Sequence, residues 1–446
     1  MTGPGEEKFE AAVRLHQSGD YRAALQSYLP LLDNPILGPD VACNLSALSL
    51  QMGDVAESER YARHSLARKP GHANGWNHLG LALRGKGDAA GAAQAFQRAV
   101  SLDAGHAQAY SNLAEILADR DDITGAIQCY ERALAIDPEL TIALVGFVHR
   151  KQQIADWAGL DPALARLSRQ IWKAEPAVDP FMLLFCCTNP REILKACQNA
   201  AAAREKSAAA AWGTGLFTHS RAATRKIRIG YVSANFYDHA VGTLICQLLE
   251  AHDPNEFEIF CYCHSADKQG ARRERIKRAA HRFIEIGGLD DLAAAKRIHA
   301  DDISILVDLM GYTKGQRLRI FSLRPAPVQV TWIGFAGSAG GRTADYIIAD
   351  RTVIPHGEES FYAEQPVRMP VCYQANDSTR ALAPRAMTRR EFGIPEGAVV
   401  FCNFNQTAKI TPPVADLWAA IMGAVPDSVL WLWHIYDAGV RNLRAA

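Results

Sequence analysis

The stretch "ANGWNHLGLALRGKGDAAGAAQAFQRAVSLDAGH", residues 73–106, is followed without a gap by "AQAYSNLAEILADRDDITGAIQCYERALAIDPEL", residues 107–140. Each stretch is 34 residues long, and large and small side chains recur at equivalent places. The equivalent pairs include Trp76/Tyr110, Leu79/Leu113, Ala92/Ala126, Phe96/Tyr130 and Ala99/Ala133. This period predicts two helices per unit, in which small residues permit close approach and large residues fill the space between helices.

The same period extends towards the N-terminus. Gly19-Asp20 and Gly53-Asp54 lie one period apart, and Pro70 stands where a unit should close. We therefore predict about four tetratricopeptide repeats over residues 1–140, stacked as an α-solenoid. Such stacks usually bind an extended peptide along their concave face, so a protein or peptide is the expected partner. The alternative is a scaffold or a dimerisation arm.

Composition limits the class of protein. A chain of 446 residues suggests two to four domains, and its 48 basic and 48 acidic residues favour neither nucleic acid nor an anionic membrane. The sequence begins without a signal peptide and has no apolar run near the roughly 18 residues that span a bilayer. The ten cysteines lack a framework spacing, and "FCYCHS" (260–265) fits a strand better than a metal site. We expect a cytoplasmic protein with reduced thiols and no metal.

Helical patterning continues beyond the repeats, so residues 141–223 are predicted to form a helical connector. The 34-residue period fades from Ala155, and two or three further helices follow to about Gln198. An alanine-rich run over 200–212 marks a boundary before a different composition begins.

Strand and helix patterns alternate over residues 224–385. "KIRIGYVSANF" and "ISILVDLMG" have the β-branched apolar centres of strands, and "VGTLICQLLEAHD" has helical spacing. This alternation predicts a Rossmann-like lobe, a parallel sheet covered by helices. Ligands of such sheets bind beyond the carboxyl ends of the strands, which points to the loops "SANFYDHAVG", "MGYTKGQR" and "GFAGSAGG".

Each of these loops contains residues suited to a binding site. His239 precedes a helix, and its near-neutral pKa allows it to take a proton from a hydroxyl; a solvated histidine is the alternative. Thr313 lies between Gly311 and Gly315, which permit backbone amides to approach a ligand, although a plain turn is equally compatible. The third loop has four glycines, too open for a packed element unless something lies against it.

Near the end of the chain, "FCNFNQTAKITP" (401–412) predicts a strand, a polar turn and a helix that opens with two prolines and runs to Val425. The free amides of a helix start attract anions, and Lys409 adds a full charge. A fixed lysine stabilises the charge that grows on a departing diphosphate. The alternative is a surface lysine without such a role.

Six motifs in this order resemble the O-GlcNAc transferases, which are inverting glycosyltransferases of GT-B fold that follow tetratricopeptide repeats. The motifs are "RIGYVSANFYDHAVG", "LVDLMGYTKG", "LRPAPVQVTWIGFAGSAG", "DYIIAD", "FCNFNQTAKI" and "VPDSVLWL". The resemblance implies transfer of N-acetylglucosamine from UDP-N-acetylglucosamine to serine or threonine hydroxyls of proteins, without a metal. It also implies a complete first lobe and a partial second lobe over residues 398–446.

The resemblance also assigns roles to residues. His239 matches a histidine near the sugar, whose role as general base is disputed, and we expect His239 and Lys409 to be catalytic. Gln406 and Lys409 match the residues that hold the uridine diphosphate. We also expect Thr313, Gly337 and Ser338 to line the donor site.

Two departures qualify the resemblance. Ala240 and Ala336 stand where the family usually has proline, which suggests a shifted loop or a relaxed pocket. The second lobe of the family continues well beyond the length present here, so we expect a shortened chain that binds its donor weakly or not at all by itself. A protein O-fucosyltransferase that uses GDP-fucose, a relative that transfers glucose to asparagine, and a non-catalytic repeat module that binds proteins remain alternatives.

Overall fold

The computed structural model describes residues 4–173, 178–187, 189–219, 226–265, 268–381, 387–433 and 436–445. The chain divides into two compact units: Met1–Gln170 with Met387–Ala446, and Ile171–Ala386. Within the described ranges, no helix has the length and apolar character needed to cross a membrane.

Paired helices form the first part of the first unit. Their bounds are α1 Pro4–Ser18, α2 Tyr21–Tyr28, α3 Gly38–Gln51, α4 Val55–Arg68, α5 Ala73–Gly85, α6 Ala89–Leu102, α7 Ala107–Asp119, α8 Ile123–Ile136 and α9 Thr141–Gln153. Helices α5, α7 and α9 begin 34 residues apart, and each packs against the preceding and the following helix of the series where one is present. The predicted solenoid of helix pairs is confirmed.

The periodic Gly-Asp pairs explain how the turns form. Gly19, Gly53 and Gly87 have φ between 83° and 87°, a conformation that glycine adopts without steric cost. The second helix of each pair is capped by an aspartate whose side chain accepts a backbone N–H. These aspartates are Asp20, Asp54, Asp88 and Asp122. In the fourth pair, Asp121 takes the left-handed position with φ 62°.

The space between paired helices is filled as the size pattern predicts. A Cβ at Gly80 would lie 2.5 Å from the ring of Phe96, and one at Gly146 would lie 2.2 Å from the ring of Tyr130. Both aromatic rings are fully buried. The glycines therefore permit the close helix approach that the large residues complete.

Helix α10 (Leu160–Lys173) continues the chain after α9, followed by α11 (Pro180–Leu183) and α12 (Pro190–Trp212). The alanine-rich run 200–212 is the second half of α12, a single helix of 23 residues. The predicted connector 141–223 includes residues 174–177, 188 and 220–225, which lie outside the described ranges.

A seven-stranded parallel sheet dominates the second unit, which confirms the predicted helix-covered sheet. The strands are β1 Ile227–Ser233, β2 Phe257–Cys263, β3 Arg282–Glu285, β4 Ile305–Asp308, β5 Val328–Thr331, β6 Tyr346–Asp350 and β7 Gln365–Met369. The connecting helices are α13 Ala240–Ala251, α14 Ala271–Ala279, α15 Asp291–Ala300 and α16 Leu318–Ser322. The strand order is β3-β2-β1-β4-β5-β6-β7, so the order reverses between β1 and β4.

The last part of the first unit is a small βαβ element. It consists of β8 (Val400–Asn403), α17 (Pro412–Ala424) and β9 (Val429–Leu432), with β8 parallel to β9, and is followed by α18 (Asp437–Ala445). Helix α17 has no buried residue, and Trp433 is 60% exposed. The element therefore leaves its own faces uncovered, as expected for two strands and one helix.

This element is anchored on the helical repeats. The described packing places Tyr436 and Ala438 beside the apolar cluster of α7–α9. The Tyr436 hydroxyl donates to Asp121 at 3.2 Å, and the Asn442 side chain donates to the carbonyl of Ile154 at 2.7 Å. Residues 387–446 thus belong to one compact unit with the repeats.

Candidate functional site

The carboxyl ends of β1 and β4 meet where the strand order of the sheet reverses. Val232 on β1 pairs with Asp308 on β4, so the loop that contains His239 and the loop that contains Thr313 leave the same edge. The loop after β5, residues 332–341, leaves the neighbouring strand at that edge. In open parallel sheets this reversal creates the crevice in which ligands bind.

His239 occupies the N-cap of α13. Its Nδ1 accepts a hydrogen bond from the backbone N–H of Val241 at 3.2 Å, and the residue as a whole is largely but not fully exposed. Because Nδ1 is an acceptor, the neutral ring carries its proton on Nε2. Partial burial lowers the pKa of His239 below its ordinary value. The neutral side chain therefore has an N–H donor at Nε2.

The backbone around His239 is tied down on both sides. Arg272 on α14 donates to the Asp238 carboxylate at 2.9 Å, and the Thr243 hydroxyl donates to the His239 carbonyl at 2.9 Å. The Lys268 ammonium lies 5.9 Å from the centre of the Tyr237 ring. These contacts hold the segment that contains His239.

Asp308 is a site residue that the sequence analysis did not single out. It lies at the carboxyl end of β4, is almost fully buried, and accepts hydrogen bonds from the backbone N–H groups of Met310 and Gly311 at 2.9 and 2.8 Å. Burial raises its pKa to about 6, against the opposing effect of these bonds. An aspartate that ends the apolar run "ILVD" was the available signal.

Met310 links the loops after β1 and β4. Its sulfur accepts a hydrogen bond from the Ser233 hydroxyl at 3.4 Å and another from the Asn235 side-chain amide at 3.3 Å. Thr313, from the same loop, donates its hydroxyl to the Met310 carbonyl at 2.8 Å and is half-buried. The Thr313 hydroxyl hydrogen is therefore engaged within the loop, while its oxygen retains acceptor capacity.

Ser338 and Gly337 face inwards in the loop after β5. The Ser338 hydroxyl is 2% exposed, donates to the Glu364 carboxylate at 2.8 Å, and accepts from the backbone N–H of Gly340. A Cβ at Gly337 would lie 2.6 Å from the Phe335 ring. Both residues shape the loop from within, whereas Ala336 is exposed on it.

Gln406 and Lys409 lie in the other unit, on the turn between β8 and α17. Thr407, Ala408 and Ile410 are buried, and α9 packs against the 407–409 turn, whereas Gln406 and Lys409 are exposed. The Lys409 ammonium donates to the Asn405 side chain at 3.4 Å. No carboxylate in the described part of the chain forms an ion pair with this ammonium.

The helix that follows Lys409 begins as the sequence predicts. Pro412 and Pro413 open α17, and the Thr411 side chain makes no capping hydrogen bond. A cleft of about 470 Å³ lies on the same βαβ element, lined mainly by apolar residues such as Phe404, Trp418 and Ile421. Its apolar lining reflects the uncovered face of this element rather than a phosphate site.

The predicted residues therefore form two groups. His239, Thr313, Gly337 and Ser338 lie in loops at one edge of the seven-stranded sheet, and Gln406 and Lys409 lie on the βαβ element of the other unit. Among the residues that the structure describes, no three histidine, cysteine, aspartate or glutamate side chains come together as a metal site. Cys261 and Cys263 are buried thiols on β2, and all ten cysteines are free.

Two kinds of family model match this chain. The model of glycosyl transferase family 41 matches residues 176–384 and 381–446, and models of the tetratricopeptide repeat match residues 48–107 and 107–140. A probable UDP-N-acetylglucosamine–peptide N-acetylglucosaminyltransferase from Arabidopsis thaliana, SEC, is 37% identical over 225 residues. That match covers 49% of this chain and 23% of the relative.

Further relatives extend the match. The UDP-N-acetylglucosamine–peptide N-acetylglucosaminyltransferase of Caenorhabditis elegans is 24% identical, over 66% of this chain and 36% of its own length. The solved structure of a variant O-GlcNAc transferase from Thermobaculum terrenum is 26% identical and superposes with a TM-score of 0.57. The superposition covers 92% of this chain and 72% of the Thermobaculum terrenum chain. This chain thus spans about a quarter to a third of the two curated relatives.

Proposed function

This chain belongs to glycosyl transferase family 41, and we propose that it takes part in moving N-acetylglucosamine from UDP-N-acetylglucosamine to serine or threonine hydroxyls of proteins. The observation that carries the proposal is the loop edge at the β1/β4 reversal, where His239 projects a fixed ring nitrogen. The names of the plant and nematode relatives support this donor and a peptide as the acceptor.

In the proposed reaction the oxygen of the acceptor hydroxyl attacks the anomeric carbon, and the bond from that carbon to the diphosphate oxygen breaks. UDP leaves with the electron pair of that bond, and the hydroxyl proton passes to an oxygen of the departing diphosphate. The configuration at the anomeric carbon inverts because one displacement occurs. Lys409 would stabilise the negative charge that grows on the diphosphate, since its ammonium has no carboxylate partner among the described residues. Gln406, exposed on the same turn, would contact the nucleotide.

His239 would donate its Nε2 hydrogen to an oxygen of the sugar or of the acceptor. Its hydrogen-bonded Nδ1 leaves no free ring nitrogen to take the acceptor proton in the neutral state. Thr313, Gly337 and Ser338 would shape the pocket for the sugar, the last two through the loop conformation that they hold. No metal is part of the proposal.

The proposal also covers the acceptor surface, the cellular location and nucleic acid. The helix pairs would present their concave face to a protein or peptide acceptor, as tetratricopeptide stacks do. Ten free cysteines are consistent with the cytoplasm, and the equal numbers of acidic and basic residues give nucleic acid no general attraction. The alternative donor GDP-fucose has no support in the names of the relatives reported above.

The test is transfer of radiolabel by the full chain to a library of serine- and threonine-containing peptides. UDP-N-acetylglucosamine, GDP-fucose and UDP-glucose are compared at equal concentration, with the Lys409→Ala chain as control. Label from UDP-N-acetylglucosamine alone, lost in the control, supports the proposal. Label from GDP-fucose alone assigns the other donor. Peptide binding without transfer from any donor supports a repeat module without catalysis.

A further inference from the structure

Helix α12 packs directly against the glycine-rich loop 334–341 that follows β5. Gly340 has φ 87°, and a Cβ there would lie 2.2 Å from the backbone carbonyl of Cys197. A Cβ at Gly341 would lie 2.7 Å from the Cβ of Ala201. The loop therefore runs across the helix at backbone contact distance, and only glycine permits this approach.

Hydrogen bonds join the same surfaces. Glu205 on α12 accepts the backbone N–H of Arg342 at 2.8 Å. Three residues earlier, Glu364 accepts the backbone N–H of Ala339 at 2.6 Å, in addition to the Ser338 hydroxyl. Carboxylates from α12 and from the segment before β7 thus hold backbone amides on either side of Gly340 and Gly341.

Tyr312 connects this loop to the loop after β4. Its hydroxyl lies 2.7 Å from the carbonyl of Ala339 and 3.0 Å from the carbonyl of Cys197, and the residue is 8% exposed. Its ring meets the Phe335 ring edge-on, with centroids 5.2 Å apart. One phenol therefore touches both candidate ligand loops and α12.

Arg204 on α12 holds the phenol and the far side of the loop. Its guanidinium donates to the Tyr312 hydroxyl at 3.4 Å, to the Thr343 hydroxyl at 2.9 Å and to the Ser322 hydroxyl at 3.2 Å. Within the described ranges no carboxylate pairs with this guanidinium. Because the planar guanidinium donates to hydroxyls on three separate segments, it fixes the positions of these segments relative to one another.

We infer that Arg204 and Tyr312 are positioning residues for the proposed transfer, and that they set the conformation of loop 334–341 and its distance from the Thr313 loop. Both would act on the donor through the loop. Their effect on donor binding rests on the proposed function, whereas their effect on the loop does not. The sugar moiety of a nucleotide-sugar donor is the ligand that this loop edge would receive.

The test compares two chains that each lose one buried phenol hydroxyl. Tyr312→Phe removes the contacts to Ala339 and Cys197 but keeps the ring packing. Tyr262→Phe is the matched control, because Tyr262 is fully buried in β2 and donates to Asp301 at 3.0 Å, away from the loop. Hydrogen exchange followed by mass spectrometry is measured over peptides that cover residues 334–343.

Loss of the Tyr312 hydroxyl is expected to speed exchange of the Ala339–Arg342 amides by about tenfold, while Tyr262→Phe leaves them unchanged. Arg204→Met is expected to act in the same direction. Unchanged exchange in both Tyr312→Phe and Arg204→Met would overturn the inference. So would equal acceleration by Tyr262→Phe, because general destabilisation would then explain the result.

Donor binding provides the second readout. In a chain that binds UDP-N-acetylglucosamine, Tyr312→Phe is expected to weaken binding by about tenfold without a matching change for UDP alone, because the loop contacts the sugar. An equal loss for UDP would contradict the positioning role. If the unaltered chain bound neither compound, the proposed function would fail, and the exchange measurement would still decide whether the two residues hold the loop.

Discussion

The imidazole Nδ1 of His239 accepts a hydrogen bond from the backbone N–H of Val241 at 3.2 Å. This single contact fixes the ring tautomer, because a nitrogen that accepts an N–H carries no proton. It also opposes protonation of the ring, which would place two donors against each other at the start of a helix. The adjacent Asp238 carboxylate pairs with Arg272, and the Lys268 ammonium lies over the ring of Tyr237.

The first prediction concerns this tautomer. Nitrogen-15 NMR of the labelled chain should show His239 as the Nε2–H form, with a pKa below the ordinary 6.5 because burial disfavours the charged ring. A His239→Gln chain identifies the resonance. An Nδ1–H tautomer, or a pKa above 6.5, would contradict the assignment of the ring as a donor.

The second prediction concerns Lys409. Lys409→Ala should lower the transfer rate by about a hundredfold, because a preorganised positive group at the leaving diphosphate is lost. Lys8→Ala is the control, since Lys8 is also exposed but lies on α1. The two chains should unfold alike. Equal transfer rates in the two variants would remove Lys409 from the mechanism.

The third prediction concerns donor affinity. Lys409 and Gln406 are exposed and α17 buries none of its residues, so little of the nucleotide would be enclosed by the turn that bears them. Calorimetry with UDP should therefore give a dissociation constant above the low-micromolar range. A low-micromolar value would show that the diphosphate is held by more than the turn described.

The fourth prediction concerns the repeats. Gly80→Ala should destabilise the first unit by about 1–3 kcal/mol, because the new Cβ overlaps the buried Phe96 ring. Gly71→Ala is the control, since a Cβ there meets nothing within 4 Å and its φ is not positive. Urea unfolding followed by circular dichroism measures the difference. Equal stability of the two variants would show that the helices move apart without cost.

The fifth prediction concerns Asp308. Its folded-state pKa of about 6 lies above the ordinary value near 4, so the folded state binds this proton more tightly than the unfolded state. Its contribution to stability should therefore fall as pH rises from about 4 to about 6, by up to about 3 kcal/mol. Asp308→Asn should lack this component. The difference between the two chains in unfolding free energy, measured from pH 4 to 7, decides the matter.

Local patterns of the sequence predicted much of this fold. The pair Gly53-Asp54 alone predicts a left-handed turn followed by a helix N-cap, because the turn and the cap are made by adjacent residues. The strand and helix alternation placed His239 and Thr313 beyond strand ends, since the period of each pattern is local. The helix predicted to reach Val425 ends at Ala424, one residue earlier.

Contacts between distant segments were not predictable in this way. Nothing near Arg204 indicates that its guanidinium reaches Tyr312, 108 positions later, or Thr343. The inward direction of the Ser338 hydroxyl depends on Glu364, which follows a separate turn. No sequence pattern predicted that the 407–409 turn packs on α9. These relationships depend on tertiary packing, so no periodic pattern marks them.

The central claim is that the loop edge at the β1/β4 reversal receives the sugar of a UDP-N-acetylglucosamine donor. Its most direct test is titration of the isotope-labelled chain with that donor, observed through the amide resonances of Val241, Gly311 and Thr313. We predict saturable shifts of these resonances that UDP alone does not reproduce and that Tyr312→Phe weakens. Saturable shifts confined to other parts of the chain, with these three amides unmoved, would contradict the account.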